Sequence, residues 1–304
     1  MKRLLGVPAG LPVLRVLQAS RVRAGVALHW HAVGYPAGNP RTELVPNLPT
    51  ALFERQLHFL NHMFQLVRAS DLPEAAGARK PGHRFPVAMT FDDDLASHER
   101  VVLPLLARHR APVTFFLTGA GLEAPAWFWF NAVDALTRAR RGPPDPVRLA
   151  RSMQLLEPAR RDAATKPLLA AAGPPPADAG LRAEAVRALA AAGHEIGFHT
   201  RAHEPLPTVD DDALARALVE GRAELAAAAS APIETIAYPH GQIDARTAAA
   251  ARTAGYRAGF TLAECAITPR DDRMLLGRYE APPTSVGHLA FVVARALLAA
   301  ALEA

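Results

Sequence analysis

Two periods of apolar and polar residues take turns along the chain, and their order predicts alternating strands and helices. "GVALHWH" (25–31) reads as a strand with His29 and His31 on one face and Trp30 on the other. "TALFERQLHFLNHMFQLVR" (50–68) reads as a helix whose Phe53, Leu57, Leu60, Phe64 and Val67 share a face. "FPVAMTF" predicts a short buried strand, followed by a helix around "ERVVLPLLARH", the strand "PVTFFLT" and a tryptophan-rich segment, "APAWFWFNAVDALTRARR". From residue 181 the series runs helix, strand "HEIGFH", helix "DALARALVEGRAELAAAA", strand "IETIAYP", helix, strands "YRAGFTL" and "RMLLGRYEA", and a last helix from about 286. Such alternation implies an α/β fold with a parallel sheet, here a distorted (β/α) barrel of about seven strands. The rhythm breaks at 141–180, where "RGPPDP" and "GPPPADAG" bracket a helical stretch, so an excursion on the barrel rim between Pro-rich hinges is expected there.

Polar residues gather where these strands end. Asp92, Asp93 and Asp94 follow "FPVAMTF" directly, at the edge where α/β proteins bind ligands. A second triplet, Asp210 to Asp212, lies in "PTVDDDALARALVEGRAEL" and needs only helix capping and the helix dipole to explain it. His199 and His203 stand four apart after "HEIGF"; if a helical turn begins at Thr200, both imidazoles face one side and can share an ion. "IAYPHG" (236–241) ends another strand, and Pro239 and Gly241 make a tight turn that could present the backbone N–H of His240. His31 is placed to reach the same rim, whereas His29 reads as a core histidine.

Length and composition set the bounds. With 304 residues and 50% hydrophobic content the chain suits one large α/β domain or two small ones. We read 1–24 as a basic and apolar leader and 25–304 as the barrel, carrying the 141–180 insertion. The leader faintly resembles a signal peptide, but Pro8, Pro12 and Arg15 interrupt it and it reads as uncleaved; alternatively "LPVLRVLQASRVR" could rest on an anionic membrane surface. No run of about 18 apolar residues predicts a transmembrane span, and the expected location is cytoplasmic, with the periplasm or a membrane surface as alternatives. The single cysteine, Cys265, excludes an internal disulfide and a thiolate-rich metal cluster. The net charge of +5 comes from dispersed arginine without aromatic-interleaved basic blocks, so nucleic acid is not an expected partner, while acidic glycans or membranes stay open.

Together these motifs resemble those of the polysaccharide deacetylases, the NodB-like carbohydrate esterases of family 4. The family's T-F-D-D-G stands here as "TFDDD" (90–94) and its H-[ST]-x-x-H as "HTRAH" (199–203). "AYPHG" is close to the A-Y-P-Y-G variant of deacetylases from exopolysaccharide loci, and "LHWHAV" is similar to that branch's L-x-Y-H-x-V opening; the similarity runs from about 25 to 295. The resemblance implies a metal-dependent hydrolase that removes acetyl groups from an N-acetylated, or O-acetylated, glycan. Asp92 would be the general base, and Asp93, His199 and His203 would hold a divalent metal, usually zinc. Two imidazoles and one carboxylate leave positions open for water and an acetyl oxygen, and the His240 N–H would help stabilise the oxyanion.

Three departures from the family pattern stand out. Asp94 replaces the usual glycine, Ala237 replaces the arginine that orients the base in many members, and no C-terminal L-x-H supplies the general acid. By the resemblance His31 takes the acid's role, with Tyr238 and His240 as alternatives. Two other readings are a catalytically silent glycan-binding barrel and a metal hydrolase of non-sugar amides. A groove flanked by Trp127 and Trp129 would favour glycans, and a small closed pocket the non-sugar amides.

Overall fold

The computed structural model describes residues 6–303; the first five residues of the leader lie outside them. The elements are α1 (Gly6–Ala19), β1 (Val26–Trp30), α2 (Thr50–Met63), β2 (Gln65–Val67), α3 (Leu72–Ala78), β3 (Pro86–Asp92), α4 (Leu103–His109), β4 (Thr114–Leu117) and α5 (Trp129–Arg138). Then come α6 (Pro146–Gln154), α7 (Pro158–Ala172), α8 (Ala183–Ala191), β5 (Glu195–Phe198), α9 (Asp211–Ala217), α10 (Arg222–Ala229), β6 (Thr235–Ala237), α11 (Ala245–Thr253), β7 (Ala258–Phe260), β8 (Tyr279–Glu280) and α12 (Val286–Leu302).

The strands form one curled parallel sheet in the order β8-β1-β3-β4-β5-β6-β7, with β2 also paired to the start of β3. Its period-two pattern sorts side chains between two cores. Val26, Leu28, Trp30, Val87, Met89, Phe91, Phe115, Leu117 and Phe198 face the helices and join the large apolar cluster with Phe53, Leu57 and Leu60 of α2. The opposite face holds a smaller cluster, including Ala27, Ala88, Phe116, Ala237 and Phe260. The next positions on that inner face, His29 beyond Ala27 and Thr90 and Asp92 beyond Ala88, are polar and buried. Apolar residues, from alanine to Phe116 and Phe260, thus fill the inner face, and chemistry begins where the strands end.

Closure depends on residues 273–280. Leu276 N–H donates to Gly259 O and Thr261 N–H to Leu276 O, so this segment first pairs alongside β7. Three residues later Tyr279 is in parallel register with Leu28 of β1. A single segment therefore spans both edges of the sheet, and Arg278 lies at the crossing.

Several boundaries differ from the sequence expectation. The helix expected over 50–68 stops at Met63, and Gln65–Val67 instead pairs with β3. The helix expected over 212–229 is two helices, broken at Gly221, whose φ of +82° is left-handed. Helical structure after Asp94 begins as a π-turn at His98–Val102. In the leader, Leu14 and Leu17 are core residues and α1 packs on α12. None of the described helices is long and apolar enough to cross a membrane.

Candidate active site

Asp92 ends β3 with its carboxylate on the inner face, and a residue that the motifs did not identify holds it. Arg278 donates from Nη1 and Nη2 to the two carboxylate oxygens at 2.6 and 2.8 Å. Its Nη1 also reaches Thr90 Oγ1 and its Nε the carbonyl of Thr261, and both side chains are buried. Burial alone would push the Asp92 carboxyl up, but the Arg278 charge outweighs this and holds it well below the usual carboxylate range. The guanidinium absent at Ala237 is therefore supplied from the closing segment. Its sequence signal was one cation inside the apolar run "MLLGRYEA".

Asp93, His199 and His203 meet from two strand ends. Asp93 Oδ1 lies 3.3 Å from His203 Nε2 and 3.8 Å from His199 Nε2, and all three residues are nine-tenths or more buried. His199 Nδ1 donates to the carbonyl of Ala237 at 2.7 Å, which leaves the Nε2 lone pair facing Asp93. Burial lowers the His199 pKa to about 4, keeping that ring neutral. For Asp93, burial is likewise opposed by His203, and the carboxyl lies well below its ordinary range. Asp93 Oδ1 is buried without a hydrogen-bond partner. An acceptor oxygen and two ring nitrogens converging at one point are the donor set that a divalent cation takes, so these residues fit one.

The expected helical turn at His199–His203 is not how the pair is brought together. Thr200 (φ +53°) and His203 (φ +50°) are left-handed, and His203 N–H donates to Thr200 O. Asp93 (φ +71°) and His240 (φ +58°) share this conformation, so four non-glycine residues of the site carry backbone strain.

Asp94 faces away from the three ligand atoms. Its carboxylate accepts from Thr118 N and Oγ1 at 2.8 and 2.7 Å, and from the backbone N–H of Gly119 and Gly121. It thus ties the loop after β3 to the loop after β4, a role that glycine could not fill. Replacing Asp94 with Ala should leave these buried donors unsatisfied and cost about 3 kcal/mol, read as a lower urea midpoint at unchanged m-value. His98 supports the same loop from behind: its buried Nε2–H donates to the carbonyls of Asp92 and Asp93 at 3.1 and 3.0 Å.

The remaining histidines complete the rim. His31 is half-buried, edge-on to His29 at 5.6 Å, and both have a ring nitrogen near an Asp92 oxygen. His29 is buried as expected of a core residue, yet it lines the cavity and its Nδ1 has no partner. His240 stacks its edge on His203 with centroids 4.7 Å apart. Its Nδ1 lies 3.1 Å from Gln154 Nε2 at the end of α6, and Gln242 donates to Gln154 Oε1. The His240 backbone N–H makes no hydrogen bond among the described residues. The Tyr238 hydroxyl is buried without a partner over Gly259, where any Cβ would lie 2.2 Å from it.

Three adjoining hollows of about 650, 380 and 290 Å³ meet at Asp93 and His203. Trp129 lines the largest and the smallest, and Trp127 the third. The wall at 37–49 is pinned by the buried Asp134 of α5, which accepts from Leu44 N and Val45 N at 2.6 and 2.8 Å.

Residues 79–259 match the family model described as polysaccharide deacetylase. No curated protein matches the chain. Among solved structures, the chain is similar to the Streptococcus pyogenes deacetylase PplD in complex with acetate, at 17% identity and a TM-score of 0.63, covering 89% of this chain and 98% of that one. It is also similar to IcaB from Ammonifex degensii (20%, TM-score 0.57, 88% and 97% covered) and to the BpsB deacetylase domain from Bordetella bronchiseptica (18%, 0.53, 84% and 95%). At these identities the neighbours show a shared fold; with the family model matched over more than half of its length, the chain belongs to the polysaccharide deacetylase family.

Proposed function

We propose that this protein is a metal-dependent deacetylase that removes N-acetyl groups from a polymeric or oligomeric glycan. One observation supports it above the others: a buried set of side chains that could hold an ion, Asp93, His199 and His203, stands beside a separately held carboxylate, Asp92, at the junction of tryptophan-lined hollows. Three adjoining hollows, rather than one small closed pocket, favour a glycan chain over the non-sugar alternative. A divalent ion in the set, for which zinc suits the nitrogen-rich donors, would polarise the acetyl carbonyl and acidify water. Asp92, kept ionised by Arg278, accepts the proton from the attacking water. The His240 N–H offers a hydrogen bond to the oxygen that gains charge. His31, on the Asp92 side of the cavity, protonates the departing nitrogen.

The proposed location is the cytoplasm, with the periplasm or a membrane surface as alternatives, the α1 leader being the element that a membrane would meet. The test of function is acetate release from N-acetylglucosamine oligomers and acidic exopolysaccharides, with an aryl acetate as a control for hydrolytic chemistry. Release from the aryl acetate but from no glycan would overturn the glycan assignment.

The Arg278 pair makes its own prediction. Replacing Arg278 with Met leaves Asp92 buried without its cation, so burial alone governs and the carboxyl shifts up. The acid limb of the kcat/KM profile should move to higher pH, and stability at neutral pH should fall by about 3–5 kcal/mol. Because the folded-state pKa of Asp92 is depressed, the wild-type pair stabilises above the ordinary carboxyl pKa of ~3.9 and fades as pH falls below it. An unchanged acid limb in the variant would separate Arg278 from the base.

A further inference from the structure

The arginines are dispersed along the chain, as expected from the sequence, but the net charge is not: most of them are balanced by carboxylates, and one segment carries the excess. Residues 138–166, which span the end of α5, all of α6 and the first half of α7, carry eight Arg and Lys against three Asp and Glu. The remaining residues are balanced at 26 of each sign, so the whole excess of five belongs to this segment. Among the described residues Arg140, Arg141, Arg148, Arg151, Arg160 and Lys166 are exposed and form no ion pair. Arg138 is the segment's one paired cation, and it neutralises Glu43 of the groove wall at 2.7 Å.

Helix geometry brings one of these cations, Arg151, to the reaction site. Val147, Ala150, Arg151 and Gln154 line the 650 Å³ hollow of the site at i, i+3, i+4 and i+7, one face of α6. Gln154 on that face touches His240, and Arg151 stands one turn earlier, with Arg148 three residues before it. The carboxylates on the same hollow are Asp92 and Asp93 of the reaction site, Glu43, which Arg138 pairs, and Glu280 of β8. A glycan with its acetyl group at the ion set and its chain passing α6 would meet the Arg151 guanidinium, with the rest of the basic segment beyond it.

We infer that the basic segment 138–166 makes this protein selective for anionic N-acetylated glycans, whose uronate carboxylates Arg151 recognises at the site, with Arg148 one turn before it on α6. This deepens the glycan deacetylase reading and rests on it for the acetyl group, while the charge selection is a property of binding. Guanidinium groups pair with carboxylates through two parallel hydrogen bonds, and a basic wall raises the local concentration of a polyanion at low salt.

The test compares two hexasaccharides on the wild-type protein: alternating glucuronate and N-acetylglucosamine against the neutral N-acetylglucosamine hexamer. Binding is followed by tryptophan fluorescence and acetate release in parallel. At 50 mM salt the acidic oligomer should bind about tenfold more tightly, and the preference should largely vanish near 0.5 M salt. The double variant Arg148→Gln/Arg151→Gln should reduce the preference to about threefold or less. A charge-matched control, Arg187→Gln/Arg216→Gln, changes exposed arginines of α8 and α9 away from the groove and should leave the ratio near its wild-type value. Equal affinities at low salt would overturn the inference, as would a control that lowers the preference as much as the insertion variant. The two readings fail separately: acetate released equally from equally bound oligomers removes the selectivity alone. A salt-sensitive preference without acetate from either removes the deacetylase reading alone.

Discussion

Asp92→Asn should lower kcat on an N-acetylated glycan on the order of 10⁴-fold while the protein retains its metal. Asp93→Asn should instead weaken metal binding itself, by about 10²-fold or more, and lose activity that excess zinc partly restores. The reason lies in the different partners of two adjacent carboxylates. Both oxygens of Asp92 are taken by Arg278, whereas Asp93 directs a partnerless oxygen at two imidazoles. Adjacent like charges are tolerable when each faces its own cation. Because Asn at 92 cannot return both hydrogen bonds to Arg278, this variant should also be less stable, so kinetics and metal content are measured well below its melting temperature. If both variants lose metal to the same degree, the division of roles between them is wrong.

His31→Ala should reduce amide cleavage by 10² to 10⁴-fold, spare an activated aryl acetate, and leave the metal bound. Collapse of the intermediate from an amide requires a protonated nitrogen, and a phenolate needs no proton to depart. His31 is the half-buried histidine on the Asp92 side of the site, and His240 stands on the His203 side. Tyr238 is ill placed to share the acid's role, since its hydroxyl packs over Gly259 and burial raises its pKa. Equal losses on amide and aryl ester, with a lower melting temperature, would make His31 a packing residue.

The parts of this site that could be read from the sequence are those where chemistry follows directly on an apolar strand. Asp92 and Asp93 after "FPVAMTF", His199 after "HEIGF" and His240 after "IAYP" all reach one rim, because parallel strands bring their C-terminal ends together. What could not be read depends on contacts between distant segments or on unusual backbone. Nothing in "HTRAH" announces left-handed Thr200 and His203, so a helical turn was the natural expectation. Arg278 reaches Asp92 only because residues 273–280 cross from one edge of the sheet to the other, a pairing that local periodicity does not encode. Asp94 looked like a departure at the centre of the chemistry and is instead a brace on the Thr118 loop. Gln154 lies in a segment read as a rim excursion, and its contact with His240 follows from how α6 folds back over the site.

The central claim is that Asp93, His199 and His203 form one ion site, and elemental analysis of purified wild type beside His203→Ala tests it most directly. The account predicts about one zinc or similar divalent ion per wild-type chain and close to none in the variant. Equal metal content in the two proteins would contradict it.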